Sequence, residues 1–192
     1  YGLITETSIK ALFTASFLPG FILASFFIIY IVVRTRLNPG LAPLPEPEIA
    51  GVSDLPEIEA IVEAAYRPYV SRMGLLPGPM CDDYAAHVAA GRLQVLRDGQ
   101  GVAGLLVLIP EATHMLLDNV AIAPRAQGRG YGRLLLDCAE AQARRQGFGV
   151  IRLYTHVTMV ENIAIYGKRG YTETHRAEVN GLRRVYMEKT LG

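Results

Sequence analysis

Apolar and polar residues are arranged in two different ways along this chain of 192 residues. Between Ala11 and Val33 the sequence ALFTASFLPGFILASFFIIYIVV holds no charged residue. At about 1.5 Å of rise per residue, a helix of this length crosses the ~30 Å apolar core of a bilayer, so we expect one membrane span at residues 11–33. From residue 49 onward, short apolar runs alternate with charged and turn-forming residues, which is typical of a domain with a buried core.

Two alternatives for the apolar run stay open. A cleaved signal peptide would have a shorter apolar part, followed by a cleavage site of the A-x-A type. A buried core helix would carry polar residues at every third or fourth position, and this run has only scattered Ser and Thr. Lys10 precedes the run, whereas Arg34 and Arg36 follow it. The positive-inside rule therefore places the rest of the chain in the cytoplasm, anchored to the cell membrane by this span.

The N-terminal part carries a resemblance of its own. Residues 8–39, SIKALFTASFLPGFILASFFIIYIVVRTRLNP, resemble a segment of the large permease subunit of tripartite ATP-independent periplasmic (TRAP) transporters. That family has many spans, so the resemblance does not imply transport. The next stretch, NPGLAPLPEPE, contains four prolines and predicts a stiff, extended linker. We therefore expect a hydrophobic membrane segment at residues 1–37, a linker at residues 38–48 and a folded domain at residues 49–192.

The folded domain alternates predicted helices and strands, as in an α/β (α+β) fold. Its first helix is indicated by Ile58, Ile61, Val62 and Ala65, which recur at helical spacing. The other predicted elements are, in chain order, a helix at 82–90, strands at 92–96, 102–109 and 114–123, a helix at 131–147, a strand at 150–154, a helix at 161–168 and two strands between 171 and 189 around Asn180-Gly181.

Charge and cysteine content exclude several classes of protein. The chain has 19 Lys and Arg against 18 Asp and Glu, a net charge of +1, which provides no broad basic surface for nucleic acid. Cys81 and Cys138 are far apart and form no C-x-x-C motif, so neither a disulfide scaffold nor a structural zinc site is expected. No group of residues has metal-ligand spacing, and Cys138 lies on the apolar face of its predicted helix, as a core residue does.

A glycine-rich junction between a strand and a helix carries the main chemical signal. Residues 124–133, PRAQGRGYGR, follow the predicted strand at 114–123 and open the helix at 131–147. Free backbone N–H groups and the positive end of a helix dipole meet at such a junction and bind phosphate oxygens. The junction has no GK[ST] and its glycine spacing is not GxGxxG, which excludes two familiar phosphate loops. Close packing of the backbone is the alternative reason for its glycines.

Two motifs together indicate a family. Gln127-x-x-Gly130-x-Gly132 follows the strand that ends in VAIAP, and NIAIYGKRGY occupies residues 162–171 after another predicted strand. With both motifs, residues 49–191 resemble the GNAT superfamily of acetyl-CoA-dependent N-acetyltransferases. The resemblance implies a mixed, mostly antiparallel central sheet flanked by helices. It also implies transfer of an acetyl group from acetyl-CoA to a primary amine, a small molecule or an amino acid derivative, by direct attack in a ternary complex without a metal.

The resemblance further implies how acetyl-CoA is bound. Backbone amides of the glycine-rich loop would hold the pyrophosphate, while Arg125, Arg129 and Arg133 would add charge. The strand before the loop would bind the pantetheine arm through its main chain, and an amide near Val120 would polarise the thioester carbonyl. Asn162 would hydrogen-bond the same arm. The expected cofactor-binding residues are Val120, Ala121, Ile122, Gln127, Gly128, Arg129, Gly130, Tyr131, Gly132, Asn162 and Tyr166.

For catalysis, the resemblance points to Tyr166 as the general acid that protonates the thiolate leaving group. The acceptor amine must lose a proton before it attacks, so a base is needed as well. Asp118 and His156 are the bases that we name, and His114 and Glu161 are further candidates. Each of these side chains has an alternative structural role, such as a buried hydrogen bond or packing on a helix face.

Acceptor binding is expected from the connection between the first two helices, residues 66–80, with Glu111 and Asn119 shaping the pocket. The expected partners are a small-molecule amine and, through residues 11–33, a membrane; no nucleic acid is expected, and a homodimer stays open. Two other functions remain as alternatives. One is a non-catalytic acyl-CoA-binding module, and the other is a fragment of a TRAP-type transporter fused to an incidental soluble domain.

Overall fold

The chain divides into two units, residues 1–44 and residues 45–192. The computed structural model describes residues 9–37, with side chains for residues 19–35, and residues 45–192. Residues 1–8 of the predicted membrane segment and residues 38–44 of the predicted linker lie outside the described residues. The three predicted parts of the chain therefore stay a prediction, although the change of unit at residue 45 falls within the expected linker.

The first unit contains one long helix, α1 (Ile9–Leu37), which continues through Pro19. A helix is thus present where the apolar run predicts one. In the part of the chain whose side chains are described, no helix is both long enough and apolar enough to cross a membrane. The expected span at residues 11–33 is therefore not supported.

The second unit is built on a seven-stranded sheet. Its strands are β1 (Glu48–Ile49), β2 (Leu93–Asp98), β3 (Gly101–Pro110), β4 (Met115–Ile122), β5 (Val150–His156), β6 (Thr172–Val179) and β7 (Leu182–Thr190). They lie side by side in the order β1-β2-β3-β4-β5-β7-β6. The β4–β5 pair is parallel, and the other neighbouring pairs described are antiparallel. The expected mixed, mostly antiparallel sheet is confirmed.

Helices cover both faces of this sheet. They are α2 (Leu55–Met73), α3 (Tyr84–Ala89), α4 (Tyr131–Arg145) and α5 (Val160–Lys168). Alternate residues of a strand face opposite sides of a sheet, and those of β3 divide accordingly. Leu105 and Val107 pack with the buried residues of α2, whereas Leu106 and Leu108 pack with those of α4. Each face therefore has its own apolar core, one under α2 and the other under α4.

A bulge in β4 determines where the sheet opens. Val107 pairs with Asn119 and Leu108 pairs with Leu117, so Asp118 is an extra residue without a partner in β3. On its far side, β4 pairs with β5 only from Met115 to Leu117. Beyond Asp118 the two parallel strands are no longer paired, and a cleft lies between the end of β4 and the end of β5.

Some predicted boundaries change in the structure. The helix that begins near Asp54 runs to Met73, so half of the expected connection at 66–80 is helical. Glu48, expected in the linker, begins β1 and pairs with Val95. Glu140, a charged residue of α4, is buried. It accepts from Lys189 at 2.6 Å, and its burial is therefore offset by an ion pair that no local pattern reveals.

Candidate active site

Two cavities meet in the cleft between β4 and β5. The larger, here called the loop groove, has a volume of about 570 Å³ and extends along β4 to the glycine-rich loop and α5. The smaller, here called the inner pocket, has a volume of about 60 Å³ and lies under α2 and the segment that follows it. Four residues line both cavities: Tyr66, Val120, Asn162 and Tyr166. A molecule in the groove and a molecule in the pocket would touch at these four side chains.

The glycine-rich loop ends in an anion-binding surface. Gly128 and Gly130 have φ values of +77° and +84°, and α4 begins directly afterwards. Among residues 45–192, no acceptor takes a hydrogen bond from the backbone N–H groups of residues 128–133. A Cβ atom added at Gly128 or Gly130 would meet no protein atom within 4 Å. These glycines therefore serve a turn that exposes its amides, rather than close packing.

The edge of β4 offers main-chain groups to the same groove. Ala123 donates to the carbonyl of Ala103 across the β3–β4 pair. Because antiparallel strands alternate bonded and non-bonded pairs, Val120 and Ile122 must direct their N–H and C=O groups away from β3, into the cleft. The side-chain amide of Gln127 lies 3.5 Å from the carbonyl oxygen of Ile122, as this orientation requires.

Two expected cofactor residues take a different position from the one predicted. Ala121 lines the loop groove, but its main-chain groups face β3, as the same alternation dictates. Tyr131 contributes one of the free amides, while its side chain packs into both apolar cores. Three further expected residues line the loop groove: Gln127, Gly132 and Asn162.

The arginines of the loop are only partly available to a ligand. Arg125 donates to Asp98 at 2.9 Å and to the carbonyl of Val102 at 2.8 Å, and Arg129 lies 3.4 Å from the same carboxylate. Burial alone would raise the pKa of Asp98, but the Gln100 amide, Arg125 and Arg129 together hold it below its usual value. Arg125 therefore ties the loop to the β2–β3 turn, which differs from its expected role. Arg133 is exposed and lines the groove.

Tyr166 lies where the groove and the pocket meet. It is on α5, packs against the core under α4 and makes an edge-on contact with Tyr171 at 5.8 Å between ring centroids. Burial, with a smaller effect from Tyr69, raises the pKa of Tyr166 to about 12. Its hydroxyl therefore keeps its proton over the whole neutral range and is a hydrogen-bond donor.

Asp118 and His156 both line the inner pocket, but their chemistry differs. Asp118 accepts from the Tyr154 hydroxyl at 2.9 Å, and its second oxygen lies 4.0 Å from His87 Nε2. Nδ1 of His156 accepts from the Thr158 backbone N–H at 3.3 Å and lies 2.8 Å from the Thr158 hydroxyl. A backbone N–H can only donate, so the neutral imidazole carries its proton on Nε2. Burial and then Arg183 lower the pKa of His156, which keeps this neutral form.

The other base candidates lie away from the inner pocket. Nε2 of His114 is 3.3 Å from Glu111, at the start of β4, and both line a separate cavity with Arg152 and His175. Glu111 therefore does not shape the acceptor pocket as expected. Glu161 lines the loop groove and is paired with Arg72 at 2.8 Å.

A chain of hydrogen bonds connects α2 to β4 behind the inner pocket. The Tyr84 hydroxyl donates to the carbonyl of Pro79 at 2.8 Å, which leaves it as an acceptor for the Asn119 side-chain N–H, also at 2.8 Å. The side-chain oxygen of Asn119 then accepts from the Tyr66 hydroxyl at 2.7 Å. Since a carbonyl cannot donate, the direction of the whole chain is fixed. The hydroxyl oxygen of Tyr66 can therefore still accept a hydrogen bond from a molecule in the cavity.

Several of these groups have no sequence motif. Four of them, Tyr84, Tyr154, Asp98 and Arg184, belong to no motif, and Tyr66 is indicated only as part of the connecting segment at residues 66–80. Burial, followed by the neighbouring Tyr166, raises the pKa of Tyr66 well above its usual value. Among the described residues, no group of three or more His, Cys, Asp and Glu side chains could hold a metal ion.

The site thus defines a class of protein: one that holds an anionic ligand on loop amides and along a strand edge, and brings it against a second, smaller binding pocket. Residues 58–171, more than half of the chain, match the family model described as "Acetyltransferase (GNAT) family". The chain belongs to this family of acetyltransferases, which use acetyl-CoA. The free amides and the open space beside Gly128 and Gly130 fit the pyrophosphate of that substrate. The family match does not extend to α1, and the resemblance to a transporter permease stays a prediction.

Solved structures share the fold. The ribosomal-protein-S18-alanine N-acetyltransferase of Escherichia coli aligns over 77% of this chain and 94% of its own, with a TM-score of 0.62 and 17% identity. PaiA N-acetyltransferase of Thermoplasma acidophilum, in complex with coenzyme A, aligns over 76% and 98%, with a TM-score of 0.63 and 16% identity. Naa20 of Chaetomium thermophilum, in complex with a bisubstrate analogue, aligns over 76% and 86%, with a TM-score of 0.62 and 19% identity. No curated protein matches the chain.

Proposed function

We propose that this protein transfers the acetyl group of acetyl-CoA directly to a small primary amine in a ternary complex. One observation carries the proposal: the loop groove and the inner pocket share Tyr66, Val120, Asn162 and Tyr166. A thioester lying in the groove and an amine lying in the pocket would therefore meet without an intermediate carrier on the protein. Direct transfer is the reaction that such a junction favours.

The protein binds the donor through its main chain. The amides of residues 128–133 hold the pyrophosphate, and the free main-chain groups of Val120 and Ile122 pair with the pantetheine arm. Acetyl-CoA supplies an activated acyl group on a thiol leaving group. The N–H of Val120 hydrogen-bonds the carbonyl oxygen, where negative charge develops during attack.

Asp118 is the base in this proposal. Its carboxylate lies in the inner pocket and already accepts one hydrogen bond from Tyr154. The second oxygen accepts a proton from the acceptor ammonium, directly or through one water. His156 is not suited to this role, because Nδ1 is engaged by Thr158 and Nε2 already carries a proton. It acts as a donor that lines the pocket.

Tyr166 completes the reaction. The amine nitrogen forms a bond to the carbonyl carbon, and the bond from that carbon to sulfur breaks. The attacking nitrogen releases its second proton to solvent, while Tyr166 gives its hydroxyl proton to the departing sulfur and regains a proton from solvent. The products are an N-acetylated amine and the free thiol of coenzyme A.

The test is the Tyr166→Phe variant of the full chain, with Tyr186→Phe as a matched control. Tyr186 also loses one hydroxyl, but it stacks on His175 and lines neither the loop groove nor the inner pocket. We expect Tyr166→Phe to lower the rate of thiol release by roughly 10²–10³ while the dissociation constant of acetyl-CoA changes little. Normal thiol release in this variant would support a different acid. Binding of acetyl-CoA without amine-dependent thiol release in the wild-type protein would support a non-catalytic binding module.

A further inference from the structure

The inner pocket holds one positively and one negatively charged side chain among the described residues that line it, Arg184 and Asp118. Both contact Tyr154, but at different places. The Tyr154 hydroxyl donates to Asp118 at 2.9 Å, while the Arg184 guanidinium lies over the ring, 4.2 Å from its centroid. Within residues 45–192, Arg184 and Asp118 form no ion pair with each other. The pocket therefore offers separate sites for a cation and for an anion.

Arg184 is held in place without being neutralised. It lies on β7 opposite His156 of β5, and its guanidinium stacks on Tyr154. Within residues 45–192 it makes no hydrogen bond and no ion pair with a carboxylate, whereas Arg97, Arg125 and Arg152 all do. A further acid in its surroundings is Asp82, whose pKa is raised by burial and then by Asp118, an effect that His87 and Arg184 partly oppose. Asp82 is near Arg184 but not bonded to it. A planar guanidinium with free N–H groups in a pocket is a site for a carboxylate.

A different part of the pocket suits an amine. Tyr66 donates its proton to Asn119, so its lone pairs are available to an N–H donor. Asp118 lines the same pocket and provides a negative charge near Tyr66. Tyr66 also lines the loop groove, where the thioester lies in the proposed function. An amine bound at Tyr66 therefore lies next to the acyl group, whereas Arg184 lines the inner pocket and not the loop groove.

We propose that the acceptor is a small zwitterion, a free amino acid or a close analogue, whose amine is held at Tyr66 and whose carboxylate is bound by Arg184. This inference rests on the proposed function, which supplies the acetyl transfer. The small volume of the pocket, about 60 Å³, fits a compact acceptor. The N-terminal residue of a protein has a free amine, but its carboxyl group is in a peptide bond and carries no charge. A diamine would bring a second cation against Arg184.

The experiment compares the twenty common amino acids with their carboxamides as acceptors for the full chain, using thiol release from acetyl-CoA. The carboxamide keeps the amine and the side chain and removes only the negative charge. For the best acceptor, we expect the free acid to exceed its carboxamide in kcat/KM by about 10- to 100-fold, with most of the difference in KM. Arg184→Gln should reduce this ratio to about 1 by weakening the free acid alone. Arg184→Lys should keep part of the preference, and Arg176→Gln, an exposed arginine on β6, should keep all of it.

The outcomes separate the two proposals. Equal or better transfer to carboxamides, alkylamines or the N-terminus of a peptide would overturn the amino acid assignment while leaving acetyl transfer in place. If kcat/KM of Arg184→Gln falls by the same factor for free acids and for carboxamides, the amino acid assignment is also overturned, because the effect of Arg184 is then structural. If the wild-type protein binds acetyl-CoA but acetylates none of these amines, the proposed function itself fails, and the acceptor assignment fails with it.

Discussion

The hydroxyl of Tyr66 donates a 2.7 Å hydrogen bond to the side-chain oxygen of Asn119, across 53 positions of sequence. This contact joins α2 to β4 at the point where the two cavities meet. Its direction is set by the carbonyl of Pro79, which can only accept from Tyr84. The Pro79 carbonyl thus fixes the direction of the hydrogen bond at Tyr66 and leaves the Tyr66 hydroxyl oxygen as an acceptor for a substrate.

Removing the Tyr66 hydroxyl, which accepts from the amine in the proposal, should impair amine binding. In Tyr66→Phe, the acceptor amine loses its hydrogen-bond partner, so we expect KM for the amine to rise about tenfold, with little change in the dissociation constant of acetyl-CoA. Tyr186→Phe, which also loses one hydroxyl and lines neither the loop groove nor the inner pocket, is the control. Steady-state kinetics with the amine varied will measure the effect. A fall in kcat alone, at constant KM, would contradict the assigned contact.

The choice of base can be tested by pH dependence. Asp118→Asn keeps the size of the side chain but cannot take a proton, so we expect kcat/KM to fall by roughly 10² or more at neutral pH. The remaining rate should rise steadily with pH, because only amine that is already deprotonated can react. His156→Gln should lose well under tenfold, since Nδ1 of His156 is engaged by Thr158 and Nε2 already carries a proton. The opposite ranking of the two variants would identify His156 as the base.

The glycine-rich loop can be tested with two glycines that share the same backbone conformation. Gly130 and Gly147 have φ values of +84° and +83° and begin and end the region of α4. Alanine at either position should destabilise the fold by about 1–2 kcal/mol, because the left-handed conformation is unfavourable for residues with a Cβ. Gly130→Ala alone should weaken acetyl-CoA binding, by about tenfold, since its methyl group would occupy the space beside the amides. Thermal unfolding and calorimetric titration will separate the two effects.

A buried ion-pair cluster should contribute strongly to stability. Glu140 accepts from Lys189 at 2.6 Å and lies 3.5 Å from Arg169, and only 7% of its side chain is exposed. Glu140→Gln removes the charge that pairs with Lys189 and that shares Arg169 with Asp137. We expect the free energy of unfolding to fall by about 2–3 kcal/mol, less than for a fully buried pair because both cations reach solvent. Glu59→Gln, an exposed glutamate of α2, is the control in urea unfolding.

The tyrosines of the site predict instability at high pH. Burial, as the first cause, raises the pKa of Tyr66, Tyr84, Tyr154, Tyr166 and Tyr171. In the unfolded chain these hydroxyls ionise near pH ~10, so above that value the unfolded state holds fewer protons than the folded state. The contribution of the protonated tyrosines to the free energy of unfolding is therefore fully present below about pH 10, and it is lost as the pH rises through the pKa values of the folded state. Urea unfolding at increasing pH, followed by tyrosinate absorbance, should show a steep loss of stability above about pH 10.

Much of the fold could be predicted because it is encoded locally. The helical spacing of Ile58, Ile61 and Val62 corresponds to the buried face of α2. The Asn180-Gly181 pair predicted a tight hairpin, and both residues have positive φ, as a two-residue turn of this type requires. The turn of the glycine-rich loop could also be predicted, because the residues that form it are adjacent in sequence. Tyr166 is indicated only by the family resemblance, and its catalytic role stays a prediction.

The remaining features depend on contacts that no local pattern contains. A charged residue such as Glu140 is expected at the surface, and the partner that allows its burial, Lys189, lies 49 positions away. Arg125 was expected to bind phosphate, but Asp98 on the β2–β3 turn holds it. Arg184 showed no signal at all, because a lone arginine in a strand acquires meaning only from the cavity that it lines.

The extra residue at Asp118 places the proposed base at a position that strand pairing does not require. As the bulged residue it has no partner in β3, so its neighbours in β4 have the same partners whether or not it is present. Deleting Asp118 would leave Val120 opposite Leu106, with its main-chain groups still turned away from β3, but would remove the carboxylate from the inner pocket. A chain shortened by this one residue should therefore keep donor binding and lose acceptor chemistry.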